Sequence, residues 1–138
     1  MKRYEFFDHT ADIGIHIFGR SMPELFENAG FALFDIITDI AAVREQEMRW
    51  FALQRDSIDE LLVEWLGRLL FISTTELFLF RRFHVVQIDG ENLQAEAWGE
   101  PLQDALHTIK AEVKAVTYHN VKVYEEEGLW HATVVLDT

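Results

Sequence analysis

The chain has 138 residues, 49% of them apolar, with eleven Phe and four Trp, which suffices for one buried core and excludes a disordered chain. It contains no cysteine, so disulfides, thiolate metal sites and a cysteine nucleophile are ruled out, a composition that suits a reducing cytoplasm. Its 24 acidic against 12 basic residues give a net charge of −12, which repels phosphate backbones and argues against direct, tight binding of nucleic acid.

The opening Met1-Lys2-Arg3-Tyr4-Glu5 leads into a strand pattern without a long apolar stretch, so no signal peptide is expected, and no apolar run approaches membrane-spanning length. Residues 4–7 read as a strand and 8–12 as a loop. Residues 13–18 read as a second strand, with Ile13, Ile15 and Ile17 alternating against Gly14, His16 and Phe18. Ser21 and Glu24 around Pro23 make a capping signal, and Leu25, Phe26, Ala29, Leu33 and Ile36 then recur at helical spacing, predicting a helix that ends near Ile37. Residues 44–53 suit a strand with one mostly buried face.

Asp56-Ser57-Ile58-Asp59 offers a second cap. Ile58, Leu61, Leu62, Trp65, Leu66, Leu69 and Leu70 follow with the clearest amphipathic period in the chain, and Glu64 and Arg68 pair on its outer side. Residues 77–80 fit either a strand or the exit of that helix. Residues 83–88 and 93–98 flank Asp89-Gly90-Glu91-Asn92 as a hairpin, the Asp-Gly pair being expected to supply positive φ. Residues 102–109 fit either a short helix or an irregular connection. Residues 113–124 alternate as a strand whose phase slips near His119-Asn120, predicting a bulge there. Residues 125–128 read as a solvated turn and 129–136 as the last strand. Two long helices and seven or so strands, mostly hairpin-linked, predict an α+β fold in one domain over 1–138: two layers, with the helices packed on a mixed, largely antiparallel sheet.

The residues best equipped for chemistry are Asp8, His9 and Asp12, clustered in one loop between two strands. A short loop of this kind can direct two carboxylates at one cation, and the same residue types also build turns by bonding nearby N–H groups. Asp137, beside the α-carboxylate of Thr138, supplies further oxygen donors if the last strand lies next to the strand bordering the loop. Oxygen ligands favour calcium or magnesium, whereas a frayed tail would hold nothing. His16, His84 and His131 fall on solvated strand faces and His107 in an undecided segment, with no zinc-motif spacing among them. Lys114, Thr117, Tyr118 and His119 form a second polar concentration, which suits phosphate or carboxylate recognition or simply a strand's exposed side. No phosphate-binding glycine loop or nucleophile elbow is present.

Taken together, Asp8-His9-Thr10-Ala11-Asp12-Ile13-Gly14, Lys114-Ala115-Val116-Thr117-Tyr118-His119 and an acid one residue from the end resemble the archease family along the whole chain. The Asp59-Glu60-Leu61-Leu62 helix falls in the corresponding place. The resemblance implies an accessory protein and not a self-sufficient enzyme. It would be an activator of an RtcB-type RNA ligase, promoting the ligase's guanylylation and its multiple turnover in tRNA splicing and RNA repair. RNA would be met only through the ligase. It also implies a divalent cation, calcium or magnesium, held by Asp12, Asp137 and Thr138. Asp8 and His9 would support the loop, and Lys114 would lie in the family's other polar motif. The chain departs from the family in ending on Thr138 where Ile or Val is common. Two other readings stay open: a small metal-dependent phosphoester hydrolase using the same acids with His9, and a chaperone-like module for RNA-processing proteins.

Overall fold

The computed structural model describes residues 1–7 and 12–138. Its elements run β1 (Tyr4–Phe7), β2 (Ile13–Gly19), α1 (Met22–Ile37), a 3-10 turn (Ile40–Ala42), β3 (Glu47–Gln54), α2 (Ile58–Glu76), β4 (Phe78–Ile88), β5 (Asn92–Pro101), β6 (Ala115–Glu126) and β7 (Leu129–Asp137). The α+β class holds, with two helices packed on antiparallel sheet. The strands divide into two sheets where one was expected, in the orders β1-β2-β7-β6 and β3-β5-β4. All strand pairings among the described residues are antiparallel, so the sheet is not mixed. The division has a simple origin: α1 lifts the chain away from β2, and the edge of β2 so vacated is taken by β7 from the far end of the sequence.

Both helices start where their caps predict. The Ser21 hydroxyl accepts from the Glu24 N–H (3.2 Å) and the Ser57 hydroxyl from the Glu60 N–H (3.2 Å), meeting donors that have no partner inside a helix. Each helix touches strands of both sheets. In consequence α1 carries no fully exposed residue, and Ala32, Phe34 and Ile37 are buried alongside the single apolar face that periodicity reveals. In α2, Leu61, Leu62, Trp65, Leu66 and Leu69 have no solvent exposure, and burial of each such side chain contributes about 1.5–3 kcal/mol.

The helix–strand ambiguity at 77–80 resolves at Leu77, which adopts left-handed backbone (φ 53°) and donates its N–H to Ser73 O, closing α2 so that β4 begins at Phe78. The 89–92 turn departs from the expected form, because Gly90 is not at positive φ. Instead the Asp89 carboxylate accepts from the N–H groups of Glu91 (2.8 Å) and Asn92 (2.7 Å), and the side chain itself shapes the reversal. Positive φ is used at the β6–β7 hairpin, where Glu127 (54°) and Gly128 (79°) form the two-residue turn. The bulge expected near His119-Asn120 is present: the β6 register shifts between Thr117 and Lys122, with Asn120 at φ 57°.

Gly99 answers to close approach and not to a turn. A Cβ there would run into the carbonyl oxygen of Leu79, beside the point where the β4–β5 register shifts. Gly99→Ala is therefore expected to destabilise the fold by about 1–3 kcal/mol through overpacking. A lowered denaturant midpoint would register it, and an unchanged one would mean that β4 yields at no cost.

Candidate functional site

β2 and β7 pair antiparallel with Ile13 opposite Leu136 at one end of the ladder. Asp12 is the next residue outward on one strand and Asp137 on the other, so the register carries two acids to the same end of the sheet. β6 begins there as well, with Ala115 opposite Asp137, and the Lys114 N–H donates to the Asp137 carbonyl at 2.7 Å. Asp12 is half-buried, while Lys114, Asp137 and Thr138 are exposed. Residues from the beginning, the middle and the end of the polar pattern thus converge on one sheet edge. Asp8 and His9, the remaining loop candidates, lie outside the described residues.

The chemistry of this edge is that of oxygen donors. The main-chain carbonyl of Asp137 is engaged by Lys114, so its carboxylate is the group turned to other uses. Like charges on neighbouring positions of adjacent strands repel, and a divalent cation between them relieves that repulsion while matching hard oxygen ligands. Asp12, Asp137 and a backbone oxygen of Thr138 could hold such an ion. Among the described residues no group of three or more His, Cys, Asp or Glu side chains is disposed to hold a metal; the register itself brings the side chains of Asp12 and Asp137 to this end of the sheet. Beyond Asp137, Thr117 stiffens the start of β6: its hydroxyl donates to Val135 O (3.0 Å) and accepts from the His119 N–H (3.3 Å).

The connection that delivers Lys114 to the edge is pinned by a buried polar network that periodicity does not reveal. Glu100 is fully buried at the end of β5. It accepts from the Arg44 N–H (2.6 Å), from Arg44 Nε (2.9 Å) and from His107 Nε2 (3.0 Å). His107 Nδ1 accepts in turn from the Gln103 N–H (2.9 Å), which places the ring proton on Nε2, facing Glu100. Further along, the Thr38 hydroxyl donates to Thr108 O (2.7 Å) and the Lys110 N–H to Ile37 O (2.7 Å). The stretch from Leu102 to Lys114 is therefore irregular yet anchored: for residues 102–109 this is the second of the two forms the sequence allowed, while the strand expected from Val113 begins at Ala115. The one local signal for Glu100 was a charged residue between Gly99 and Pro101.

Two antiparallel sheets bridged by two helices, with carboxylates and a lysine brought together at one sheet edge, define a small α+β protein with a polar rim. Among the described residues no helix is long and apolar enough to cross a membrane. The model of the Archease protein family (MTH1598/TM1083) matches residues 4–138. The chain is 40% identical to the protein archease of Sulfurisphaera tokodaii over 139 residues, covering 99% of each. It is 41% identical to that of Methanothermobacter thermautotrophicus over 140 residues, again covering 99% of each. The solution structure of Methanobacterium thermoautotrophicum protein 1598 superposes with a TM-score of 0.88 at 42% identity over all of both chains. The Thermotoga maritima crystal structure of an archease, described as a possible chaperone, shares the fold with a TM-score of 0.67 at 21% identity, covering 96% and 94% of the two chains. The chain belongs to the archease family.

Proposed function

We propose that this protein is an accessory factor that activates an RtcB-type RNA ligase, promoting its guanylylation and repeated turnover. In this reading it acts through a divalent cation, calcium or magnesium, at the edge formed by Asp12, Asp137 and Thr138. The observation that carries the proposal is the convergence of the motifs: the β2–β7 register ends at Ile13 and Leu136, and Lys114 donates to Asp137. When bound, the cation would supply a concentrated positive charge for a nucleotide phosphate at the partner's site. Asp12 and Asp137 orient it, Asp8 and His9 support the loop, and Lys114 stands where it can meet a phosphate or a partner carboxylate. A net charge of −12 favours transient docking on a basic ligase mouth and disfavours competition for RNA, which is engaged only through the ligase. A cytoplasmic setting goes with this role.

The test is ligase guanylylation and multiple-turnover joining with purified components. Wild-type protein is expected to stimulate both, and Asp12→Ala and Asp137→Ala to reduce stimulation by at least about tenfold, as loss of a charged ligand usually does. Undiminished stimulation by both variants would remove the cation edge from the mechanism. Turnover of a phosphoester by the protein alone would replace the proposal with a metal-dependent hydrolase. Ligase binding without stimulation would leave a chaperone-like module.

A further inference from the structure

A groove of about 220 Å³ lies where the end of α2 meets the connection to β6, walled by Leu70 and Leu77, by Ile109, Ala111 and Val113 of the connection, and by Ile37 of α1. Among the described residues Glu112 is the one charged residue that lines it. Glu112 is exposed and forms no ion pair with a described residue, and the flanking Lys110 and Lys114 do not line the groove. Leu77 is the unusual member. Its side chain is 61% exposed, and its backbone lies at φ 53° and ψ 56°. That is the left-handed region where a helix usually ends on Gly, sometimes on Asn, and where a bulky residue is rare. Backbone geometry thus favours Gly or Asn here and exposure favours a polar side chain, so the fold alone gives no reason for leucine. Leu77 O accepts from the Leu102 N–H at 2.7 Å, which fixes the residue beside the connection. Ile109, which also lines the groove, is 46% exposed.

We propose that this groove docks an apolar side chain carried on a basic segment of the partner ligase, an inference that rests on the ligase-activating role proposed above. Size argues for a side chain: the volume falls below the range of about 300–1,000 Å³ usual for small-molecule pockets, and interfaces concentrate their energy in apolar anchors that fill pockets of this kind. Charge argues for a basic partner. With a net charge of −12 two copies of this chain repel each other, which disfavours a second copy as the occupant. Glu112, unpaired at the rim, offers a Lys or Arg beside the anchor a complementary charge. Position argues for the ligase. The connection that walls the groove ends at Lys114, whose N–H donates to the Asp137 carbonyl at 2.7 Å, so a partner held here is held next to the oxygen edge. The two surfaces then divide the work: the groove supplies affinity, and the edge supplies stimulation.

Calorimetric binding of the purified ligase to the full-length protein, with ligase guanylylation followed across a concentration series, tests the docking surface. Leu77→Asn suits the left-handed backbone and removes the apolar side chain. Its melting temperature is expected to equal or exceed that of wild type, while its Kd for the ligase rises about tenfold or more, as loss of an anchor brings. Glu112→Lys is expected to raise Kd as well, most at low salt, where exposed charges are least screened. At saturation both variants should reach the wild-type maximum of guanylylation, because neither residue belongs to the oxygen edge. Both variants binding as tightly as wild type would overturn the docking surface and leave ligase activation standing. Weaker binding of Leu77→Asn together with a lower melting temperature would overturn it too, by giving the leucine a folding role. A wild-type dimer that Leu77→Asn converts to a monomer would assign the groove to a second copy instead. Wild-type protein that neither binds nor stimulates the ligase would overturn the functional reading itself, and this surface with it.

Discussion

Trp65→Ala is expected to lower the free energy of unfolding by about 3–5 kcal/mol, the range for deleting a large buried aromatic ring. Trp65 has no solvent exposure. Its ring meets Phe51 edge-on at 5.2 Å and Phe83 at 6.3 Å, joining α2 to two strands of the β3-β5-β4 sheet. Its Nε1–H donates to Phe26 O at 2.9 Å, tying α2 to α1. The substitution thus removes apolar surface from the core, opens a cavity that α1, β3 and β4 would have to shift to fill, and cuts a buried hydrogen bond. Trp65→Phe separates these effects. It keeps most of the ring contact and loses the donor, and is expected to cost about 1–2 kcal/mol. Denaturant unfolding of both variants measures the difference. A loss below about 1 kcal/mol for the alanine variant would mean that the helices close over the gap, contrary to the dense packing of Phe51 and Phe83, which meet the Trp65 ring and are themselves backed by Phe80.

Features written in the spacing of near neighbours were legible before any coordinates. The caps at Ser21 and Ser57, the apolar period of α2, the last two strands and the slip near Asn120 each depend on residues within one helical turn or a few pleats. Features that depend on which strand adopts which neighbour were not. Nothing local tells β2 to pair with β7 and not with β3, yet that choice divides the sheet in two and brings Asp12 and Asp137 to one edge. The same choice brings His16 onto His131; each imidazole taken alone looks like an ordinary solvated residue of an alternating strand. Turn chemistry was legible in kind and not in detail. Asp89-Gly90 does reverse the chain, but through the Asp89 carboxylate and not through glycine's conformational freedom. Glu100 and His107 were hidden for another reason. A buried charge is stabilised by partners far away in sequence, and Arg44 lies 56 residues before Glu100.

Glu100→Ala is expected to destabilise the protein by about 3 kcal/mol, the lower part of the range for breaking a buried ion pair, because Arg44 is half exposed and can recover water. The carboxylate sits where β5 ends and the irregular connection to β6 begins, so its loss releases more than one bond. His107 forfeits its partner, the turn at Gln103 loosens, and Lys114 is no longer delivered to Asp137 by an anchored chain. Amide exchange at Lys114 should therefore quicken along with the global loss. The same group has a defined pH signature. Burial opposes ionisation of Glu100, yet the Arg44 side chain and N–H, with His107, outweigh it and bring the carboxyl from 4.5 down to about 2. A carboxyl held lower in the folded than in the unfolded chain contributes stability that is complete above the unfolded value. That contribution is lost as pH falls from about 4.5 toward 2. Wild-type stability should fall more steeply than that of Glu100→Gln between pH 5 and about 3, the variant having no proton to take up at this position. Parallel curves would mean that Arg44 and His107 hold a neutral side chain as well as a charged one, and that the anchor rests on shape and not on charge.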